Sequence, residues 1–347
     1  MIRIAIVGTG GMANNHARAF AAIRGCKLVA ACDVIAERVE AFAERHGIPA
    51  VYTEVERLLA EADADAVSNV TPDAFHAPIS LKAIAAGKHI LCEKPLATNY
   101  ADAAAMASAA KRKNVINMVN LSYRDSPAIH RAHDLVNRGE IGRVMHVEAS
   151  YLQSWLTSRH WGDWRTTPAW LWRLSTRHGS GGVLGDIGVH ILDLASYAAG
   201  DIKSVNCRLK TFPKVKGNRV GEYVLDANDS AVITVELAGG AIGTIHTTRW
   251  ATGHANSLLL HIYGDRGAIT VDRDKSRQEL MICRGRDMDK QVWKTIRCRP
   301  TPTVYQRFIK SIRTGKNDQP DFARGAAIQK VLDACFQSDA EGKTIRV

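Results

Sequence analysis

The sequence predicts an α/β protein in two parts, with a parallel sheet in residues 1–121 and an α+β fold around an open, mainly antiparallel sheet in residues 122–347. Strand and helix signals alternate through the first part, whereas runs of alternating apolar and polar residues, separated by turns, dominate the second. A chain of 347 residues also exceeds one ordinary core, which favours two domains.

In the first part, apolar runs of strand length lie between amphipathic stretches of helix length. The strands are predicted at 2–7, 27–32, 65–70, 88–92 and 115–119. The helices are predicted at about 11–22, 34–46, 54–61, 73–86 and 100–113. Such alternation implies right-handed crossovers and a parallel sheet with helices on both faces.

In the second part, a helix near 127–138 precedes a series of alternating runs. Strands are predicted at 144–151, 202–211, 230–237, 241–248, 258–263, 268–272, 278–283 and 291–296. One helix interrupts them at 184–199, and helices at 302–314 and 321–340 are expected to pack back on the first domain. One face of this sheet should meet water or a partner, so we expect a homo-oligomer, either a dimer or a tetramer.

Composition argues against a nucleic-acid or membrane partner. The net charge is +11, but residues 1–120 carry 13 basic and 12 acidic residues, and the excess that follows is dispersed without a nucleic-acid motif. No apolar run approaches the roughly 18 residues of a membrane span, and a strand from residue 2 leaves no room for a signal peptide. Seven scattered cysteines without a C-x-x-C pair indicate reduced thiols in a cytoplasmic protein.

A turn between the first strand and the first helix suits a dinucleotide. It reads Gly8-Thr9-Gly10-Gly11-Met12-Ala13. Gly8 permits a tight turn, Gly10 lets the backbone approach a pyrophosphate, and the small Ala13 lets the helix pack closely on the strand. The free N–H groups at the helix N-terminus favour the negative charge. Asp33 follows the second strand, where a carboxylate can accept bonds from both hydroxyls of a ribose.

This carboxylate favours NAD over NADP as the cofactor. A ribose 2′-phosphate beside Asp33 would meet a like charge, and the next residue, Val34, offers it no partner. Arg38 is near in sequence, and we interpret it as a surface arginine of the following helix.

Lys94 is a candidate catalytic group because it follows the fifth predicted strand, within Glu93-Lys94-Pro95. The carboxyl ends of parallel strands face the ligand crevice, so we expect Lys94 to project toward a bound nicotinamide. For this residue alone, a surface lysine at the start of a loop is the alternative.

Residues 181–193 hold a second candidate group. Asp186 and His190 are four residues apart, so they share a face of a helix, and Asp193 falls on the same broad side. The apolar residues expected to be buried are Leu184, Ile187, Ile191 and Leu194. A carboxylate that holds an imidazole gives a proton acceptor tunable near neutral pH. Zinc is the competing use of this spacing, but no third ligand stands nearby in sequence, so we expect no metal.

Residues 151–178 hold five of the seven tryptophans, among other polar and aromatic residues. Aromatic faces cover the C–H faces of a sugar or cyclitol, while arginines and histidines bond its hydroxyls. A contact between subunits is an equally good interpretation, since Trp and Arg are enriched there as well. For a sugar site, Trp164 and Arg165 are the pair expected nearest the reaction.

Together these motifs resemble the glucose–fructose oxidoreductase / inositol dehydrogenase / rhizopine catabolism (Gfo/Idh/MocA) family, nearly end to end. The matching motifs are G-T-G-G-M-A at 8–13, Asp33, T-P-x-x-x-H at 71–76, E-K-P at 93–95, W-R-x-x-P at 164–168 and G-G-x-x-x-D-x-G-x-H-x-x-D at 181–193. The resemblance implies an N-terminal Rossmann domain that binds NAD, and a catalytic group of Lys94, Asp186 and His190. The residues predicted to surround the cofactor are Gly8, Thr9, Gly10, Gly11, Met12, Asp33, Thr71, Pro72, His76, Glu93, Lys94, Asn120, Trp164 and Arg165.

The departures from the family pattern lie where the substrate is expected. The family often has N-x-R-R-F-x-P after the sixth strand, whereas residues 120–127 keep only the Asn, one Arg and the Pro. The interval between Pro168 and Gly181 is also longer than usual. These differences affect the identity of the substrate and not the type of reaction. The residues predicted to contact substrate are Lys94, Tyr123, Arg124, Tyr151, Gln153, Trp155, Arg165, Trp172, Arg173, His178, Asp186 and His190.

The expected function is NAD-dependent oxidation of a secondary hydroxyl on a cyclic polyol or sugar, such as an inositol, an aldose or an anhydrosugar. His190 would accept the hydroxyl proton, Asp186 would hold the imidazole, and Lys94 would stabilise the developing alkoxide, so Lys94 and His190 are expected to converge over the nicotinamide. One alternative enzyme keeps its cofactor bound and either passes hydride between two sugars or cleaves a glycoside. The other alternative is a non-enzymatic regulator that senses NAD or a sugar.

Overall fold

The chain folds into two compact units, each built from two segments. The computed structural model describes residues 1–347, except for the side chains of residues 168 and 169. The first unit comprises Met1–Ser122 and Pro302–Gln329, and the second comprises Tyr123–Thr301 and Lys330–Val347.

The first unit contains a six-stranded parallel sheet of order β3-β2-β1-β4-β5-β6. Its strands are β1 (Ile2–Val7), β2 (Cys26–Cys32), β3 (Ala50–Tyr52), β4 (Ala66–Asn69), β5 (His89–Cys92) and β6 (Asn117–Val119). The predicted parallel sheet is confirmed, with one strand more than expected. In this order the direction of winding reverses between β1 and β4, and ligands of such folds bind beyond the carboxyl ends of the strands at that point.

Helices cover this sheet. They are α1 (Ala13–Ala21), α2 (Ala36–His46), α3 (Val55–Glu61), α4 (His76–Ala85), α5 (Tyr100–Lys113), α10 (Val304–Thr314) and the beginning of α11 (Phe322–Glu341). A capping box between Thr303 and Gln306 starts α10. Phe308 of α10 is fully buried, with its ring 6.4 Å from that of Phe20 on α1. Burial of each phenyl ring contributes about 2–3 kcal/mol, so α10 belongs to the core of this unit.

The second unit contains a nine-stranded sheet of order β16-β15-β14-β13-β7-β12-β11-β8-β17. Its strands are β7 (Val144–Leu152), β8 (Ile202–Lys210), β11 (Ser230–Leu237), β12 (Ile242–Thr248), β13 (Ser257–Gly264), β14 (Gly267–Asp272), β15 (Glu279–Arg284), β16 (Lys294–Arg297) and β17 (Ile345–Arg346). Neighbouring strands are antiparallel except β7 and β12, which confirms a mainly antiparallel sheet. A separate hairpin pairs β9 (Arg219–Val220) with β10 (Tyr223–Val224).

The helices α6 and α8, together with a π-helix, pack against this sheet. The helices of the unit are α6 (Pro127–Asn137), α7 (Pro168–Leu171), α8 (Val189–Ala199), α9 (Arg286–Asp289) and the end of α11, and a π-helix (Leu184–Gly188) leads directly into α8. Along β11 alternate residues are buried, while Val232 is 56% exposed and Ile242 at the start of β12 is 61% exposed. One sheet face therefore carries uncovered apolar side chains, as the alternation predicted.

Short 3₁₀ segments complete the described chain. They span Asp73–Phe75, Ser122–Asp125, Trp172–Leu174, Thr176–His178 and Lys216–Asn218. None of the described helices combines the length and the apolar character needed to cross a membrane.

Candidate active site

The glycine turn after β1 has the geometry that a pyrophosphate requires. Gly8 has φ +87°, and a Cβ there would lie 2.7 Å from the backbone of Val70, so only glycine fits. By contrast, a Cβ on Gly10 or Gly11 would meet nothing within 4 Å. The turn therefore packs tightly against Val70 at Gly8, whereas the space beside Gly10 and Gly11 is open. No side chain caps the N-terminus of α1, and no acidic residue lies in its first turn. Its N–H groups suit an anion.

Asp33, directly after β2, is joined to this turn. The backbone N–H and the hydroxyl of Thr9 both donate to Asp33 Oδ2 at 2.8 Å, and Ile35 N donates to Oδ1 at 3.1 Å. The carboxylate is thereby fixed beside the turn. Arg38, interpreted from sequence as a surface residue, is half exposed, but its guanidinium lies 3.6 Å from Asp33 Oδ1. The guanidinium is therefore associated with the carboxylate.

A buried polar network connects the ends of β5 and β6. Glu93 Oε1 lies 2.7 Å from His16 Nε2 and accepts a hydrogen bond from Asn120 Nδ2. His16 Nδ1 lies 2.8 Å from the hydroxyl of Ser68, and Asn120 Nδ2 also lies 3.2 Å from the hydroxyl of Tyr305. Burial raises the pKa of Glu93, but the hydrogen bonds from His16 and Asn120, together with Lys94, lower it to about 2. Glu93 is therefore ionised at neutral pH.

His76 fixes the two loops that follow β4 and β5. Its ring nitrogens lie 2.7 Å from the carbonyl oxygen of Pro95 and 2.8 Å from that of Thr71. Burial lowers the pKa of His76, but interaction with Cys92 and the hydrogen bond to Pro95 raise it to about 10. Both nitrogens can then donate at neutral pH. The ring is fully buried, so His76 holds these two loops together from within the unit.

Apart from Trp164 and Arg165, which belong to the second unit, the residues predicted to surround a cofactor gather at one edge of the first unit's sheet. Thr71 donates from its hydroxyl to Asn69 at 2.7 Å, Pro72 opens the following 3₁₀ segment, and the half-buried Lys94 donates from its backbone to Glu93 at 3.2 Å. Asn120 Oδ1 is buried and has no hydrogen-bond partner among the described residues. An acceptor of this kind suits the carboxamide of a nicotinamide. The residues present therefore fit NAD.

In the second unit, Asp186 lies in the π-helix and His190 in the first turn of α8. The regular helix predicted over 184–199 is therefore wrong for its first five residues, where the wider π turn changes the spacing. π segments are frequent at functional sites. Asp186 Oδ2 accepts a hydrogen bond from Arg249 at 2.9 Å and lies 3.7 Å from the Nε of Arg173. Two guanidinium groups thus face this carboxylate.

The apolar residues of the same segment are buried as predicted. Leu184, Ile187, Ile191 and Leu194 are each at most 3% exposed. They fix the π-helix and α8 against the sheet.

Asp193 and Arg124 form a buried ion pair, which sequence reasoning did not anticipate. Arg124 donates from Nε and Nη2 to the two carboxylate oxygens of Asp193, both at 2.7 Å, and each side chain is at most 3% exposed. The Arg124 guanidinium also lies 4.1 Å from the ring centre of Tyr197. Asp193 and Arg124 therefore bind each other in the interior of this unit, and a contact of Arg124 with substrate stays a prediction.

Two tyrosines lie against His190 and form a closed ring of hydrogen bonds with Asn256. The Tyr123 ring stands edge-on to the imidazole at 4.5 Å, and the Tyr151 ring lies at 6.3 Å. Tyr151 donates to Asn256 Oδ1 at 2.5 Å, and Asn256 Nδ2 donates to the Tyr123 oxygen at 2.8 Å. The remaining hydroxyl contact, at 2.5 Å, must therefore run from Tyr123 to Tyr151. Burial raises the pKa of Tyr151 well above its ordinary value, and Tyr123 adds to this, so Tyr151 stays protonated.

The direction of the hydrogen bonds in this ring is fixed by Gln153 and Trp155, which lie outside it. Trp155 Nε1 donates to Gln153 Oε1 at 3.0 Å, and Gln153 Nε2 donates to Asn256 Oδ1 at 2.9 Å. Tyr151, Gln153 and Trp155, predicted from sequence as substrate residues, therefore join His190 in one polar cluster.

The tryptophans divide between core and surface. Trp155 and Trp164 are 3% exposed within a hydrophobic cluster of the second unit, and Trp161 and Trp170 stack at 6.0 Å beside it. Arg165 is exposed, lying 4.9 Å from the Trp164 ring centre and 3.6 Å from Asp163. The role of Trp164 within this unit is thus core packing, an interpretation that sequence analysis did not consider.

Of the remaining predicted substrate residues, Arg173 is held in the cluster around Asp186, and its guanidinium lies 4.6 Å from the ring centre of Trp172. His178 packs instead on Tyr223, with ring centres 4.4 Å apart, and its Nδ1 lies 3.0 Å from the hydroxyl of Ser175. Among the residues with described side chains, no three metal-ligating groups gather.

Comparison with known proteins identifies the family. Residues 2–121 match the family model described as an oxidoreductase family with an NAD-binding Rossmann fold, GFO_IDH_MocA, and residues 129–270 match the GFO/IDH/MocA C-terminal domain. The chain belongs to the Gfo/Idh/MocA family. The resemblance inferred from motifs is thereby confirmed, as is the Rossmann architecture of the first unit.

Gfo/Idh/MocA relatives match the chain over its whole length. Levoglucosan dehydrogenase from Pseudarthrobacter phenanthrenivorans is 28% identical, covering 100% of this chain and 98% of the relative. D-glucoside 3-dehydrogenase from Escherichia coli is 26% identical, covering 100% and 97%. The chain is thus a member of a family of NAD-dependent oxidoreductases that includes sugar dehydrogenases acting on CH–OH groups.

Solved structures agree. Levoglucosan dehydrogenase in complex with NADH and levoglucosan has a TM-score of 0.88 at 28% identity, covering 100% of this chain and 99% of that one. An oxidoreductase domain protein from Kribbella flavida has a TM-score of 0.87 at 31% identity with the same coverage.

Proposed function

We propose that this protein is an NAD-dependent dehydrogenase that oxidises a secondary hydroxyl of a cyclic polyol or sugar, with an inositol, an aldose or an anhydrosugar as the substrate class. The observation that carries the proposal is the cluster around His190: an imidazole that is 6% exposed, flanked by two tyrosines, on the helix that follows Asp186. A buried imidazole can accept a hydroxyl proton near neutral pH. The relatives' activities on levoglucosan and glucosides support the substrate class.

Three residues share the proton chemistry in this proposal. His190 accepts the proton of the reacting hydroxyl, and the Asp186 carboxylate stabilises the imidazolium that forms. Lys94 stabilises the alkoxide as it develops. NAD, when bound, supplies the acceptor for the hydride that leaves the same carbon.

The cofactor would be held by the first unit. The outward-facing Gly10 and Gly11 and the N-terminus of α1 would receive the pyrophosphate, Asp33 the ribose hydroxyls, and Asn120 the nicotinamide carboxamide. The Asp33 carboxylate disfavours a 2′-phosphate, so NAD is proposed over NADP. Its association with Arg38 neutralises part of that repulsion, so NADP should bind more weakly than NAD but measurably.

The test is turnover of a panel of inositols, aldoses, anhydrosugars and uronates with NAD⁺ and NADP⁺, followed at the nicotinamide absorbance. With the best substrate, Lys94→Ala and His190→Ala should each lower kcat about 10²–10³-fold. An exposed substitution, Lys82→Ala, serves as the control for handling and expression. Near-normal NADH production by either variant would reject the assignment, and no turnover of any panel member by the wild type would reject the substrate class.

We also propose a homo-oligomer, a dimer or a tetramer, formed through the uncovered sheet face of the second unit. The exposed apolar side chains of Val232 and Ile242, which lie on the same face of the sheet, support this. Light scattering of the wild type and of Val232→Lys tests it, since a charge in such a contact lowers the mass. A monomeric wild type would refute the proposal.

A further inference from the structure

Arg249 is the largest fully buried side chain among the described residues, and it follows directly after β12. Removal of a cation from water is costly unless it gains charged and hydrogen-bonding partners. The Arg249 guanidinium donates to Asp186 Oδ2 at 2.9 Å and to the carbonyl oxygen of Arg173 at 2.9 Å, and Nη2 lies 3.5 Å from the carbonyl of Gly182. It also lies 4.9 Å from the ring centre of Trp155. Its partners therefore come from three different segments.

Asn228 binds the same segment, the residues that lead into the π-helix. Asn228 Oδ1 accepts from Leu184 N at 3.0 Å, Asn228 Nδ2 donates to Gly181 O at 3.2 Å, and its carbonyl accepts from Val183 N at 2.8 Å. A Cβ on Gly182, whose φ is +67°, would lie 2.4 Å from the Asn228 side chain. Two residues therefore fix the start of the π-helix. Asn228 binds its backbone at Gly181, Val183 and Leu184, and Arg249 binds the Asp186 carboxylate and lies near the Gly182 carbonyl.

Burial and charge act in opposite directions on this guanidinium. Burial lowers the pKa of Arg249, whereas the Asp186 carboxylate raises it. An arginine remains charged in proteins, so the Asp186 carboxylate faces a permanent cation that cannot move to solvent. The planar guanidinium donates to Asp186 through Nη2 and to the Arg173 carbonyl through Nη1, so it fixes the orientation of the carboxylate as well as supplying charge, which the ammonium of a lysine would do less well.

We propose that Arg249 is a positioning residue for the dehydrogenation: it fixes the Asp186 carboxylate and the π turn so that Asp186 and His190 keep one orientation. The proposal rests on the proposed function. Arg249 contacts neither substrate nor cofactor in it, and acts through Asp186. A displacement of a catalytic group by about 1 Å can lower turnover about 10²-fold.

The chain provides a matched control for loss of a buried cation. Lys214 is fully buried in an ion pair of 2.9 Å with Asp229, and it also donates to the carbonyls of Phe212 and Leu225. These three partners lie outside the π-helix, so its replacement tests the cost of deleting a buried charge in the same unit without removing a hydrogen bond to Asp186. Lys214→Met should lower stability and leave kcat per folded molecule unchanged.

The decisive experiment is a double-mutant cycle on kcat in the full-length protein. Arg249→Met should lower kcat about 10- to 100-fold at an unchanged KM for NAD⁺, and Arg249→Lys should recover part of the loss. In an Asp186→Asn background, Arg249→Met should have no further effect, because the group it positions is already changed. Independent, multiplicative effects of the two substitutions, or a wild-type kcat in Arg249→Met, would overturn the proposal.

A second measurement does not depend on turnover. Hydrogen exchange followed by mass spectrometry should show faster exchange in residues 181–190 of Arg249→Met and Arg249→Lys, but not in Lys214→Met. Unchanged exchange in that segment would refute the positioning role even if no substrate had been found. Lack of turnover by the wild type with a clear exchange difference would instead reject the proposed function and keep the structural role of Arg249.

Discussion

Replacement of Glu93 by glutamine tests the buried network at the end of β5. The substitution keeps the shape of the side chain, but an NH₂ replaces one of the carboxylate oxygens that face His16, Asn120 and the backbone of Lys94. At least one donor in a fully enclosed site then loses its acceptor. A charge-assisted hydrogen bond contributes roughly 1.5–3 kcal/mol net, and a buried donor left unsatisfied costs a similar amount.

The magnitude also follows from the titration of Glu93. The pKa falls from 4.5 to about 2 on folding, and each tenfold change in proton affinity is worth about 1.4 kcal/mol. The ionised Glu93 therefore stabilises the first unit by about 3 kcal/mol at pH 7. Because the folded pKa is the lower one, this stabilisation is complete above about pH 4.5 and is lost as the pH falls through about 2.

Hydrogen exchange of peptides from β5 and β6 is the appropriate assay, because all seven tryptophans lie in the second unit and their fluorescence does not report on the first. A loss of about 3 kcal/mol should speed exchange about 10²-fold at pH 7. The matched control is Glu56→Gln, which removes an exposed partner of Lys82 and should leave exchange in β5 and β6 unchanged. Wild-type exchange in Glu93→Gln at pH 7 would refute the reasoning.

Three further outcomes are expected. Gly10→Ala should fold normally, because space is open around it, but should weaken NADH binding at least tenfold in a fluorescence titration; unchanged affinity would argue against a close approach of the pyrophosphate. Asp193→Asn leaves the buried Arg124 without its charge partner and should cost about 3–5 kcal/mol in denaturant unfolding followed by tryptophan fluorescence, and a loss under 1 kcal/mol would contradict the buried pair. Asn256→Ala and Tyr151→Phe should show a coupling energy of at least about 0.5 kcal/mol in the same assay, whereas additive effects would mean that the ring is not cooperative.

The sheet of the first unit was predictable because its strands are buried on both faces and are therefore written as continuous apolar runs. Ile2–Val7 is such a run apart from Arg3, and five of the six strands were identified from this pattern. β3, with only three half-buried or exposed residues, gives no comparable signal. The two-residue strands β9, β10 and β17 were missed for the same reason, since two residues cannot show a period.

The π-helix shows a different limit. Sequence periodicity located the helical segment and its buried residues correctly, but an α period and a local π turn bury nearly the same apolar positions. Gly185 and Gly188 within the segment lower its α-helix propensity, but they do not by themselves predict a π-helix. Periodicity also gave no indication that Arg249 donates a hydrogen bond to Asp186.

Site residues that lie in local motifs could be identified, and those supplied by distant strands could not. Arg249 and Asn256 lie at the ends of β12 and β13, and Arg249 is separated from Asp186 by 63 positions in the sequence. Nothing around them in sequence marks a function until the strands are paired. The carboxylate partner of Arg124 was equally hidden: Asp193 lies 69 residues away in sequence, on a helix that packs against α6.

Neither unit of this protein is a contiguous stretch of chain, and this has a consequence for its synthesis and dissection. The first unit takes α10 from residues 304–314, and the second takes an edge strand from residues 345–346, paired with β8. During synthesis on a ribosome, neither unit can complete its core or sheet edge until these C-terminal segments have been made. A fragment that ends near residue 122 would lack Phe308 and expose the surface it covers, so genetic excision of either half should yield an unstable product.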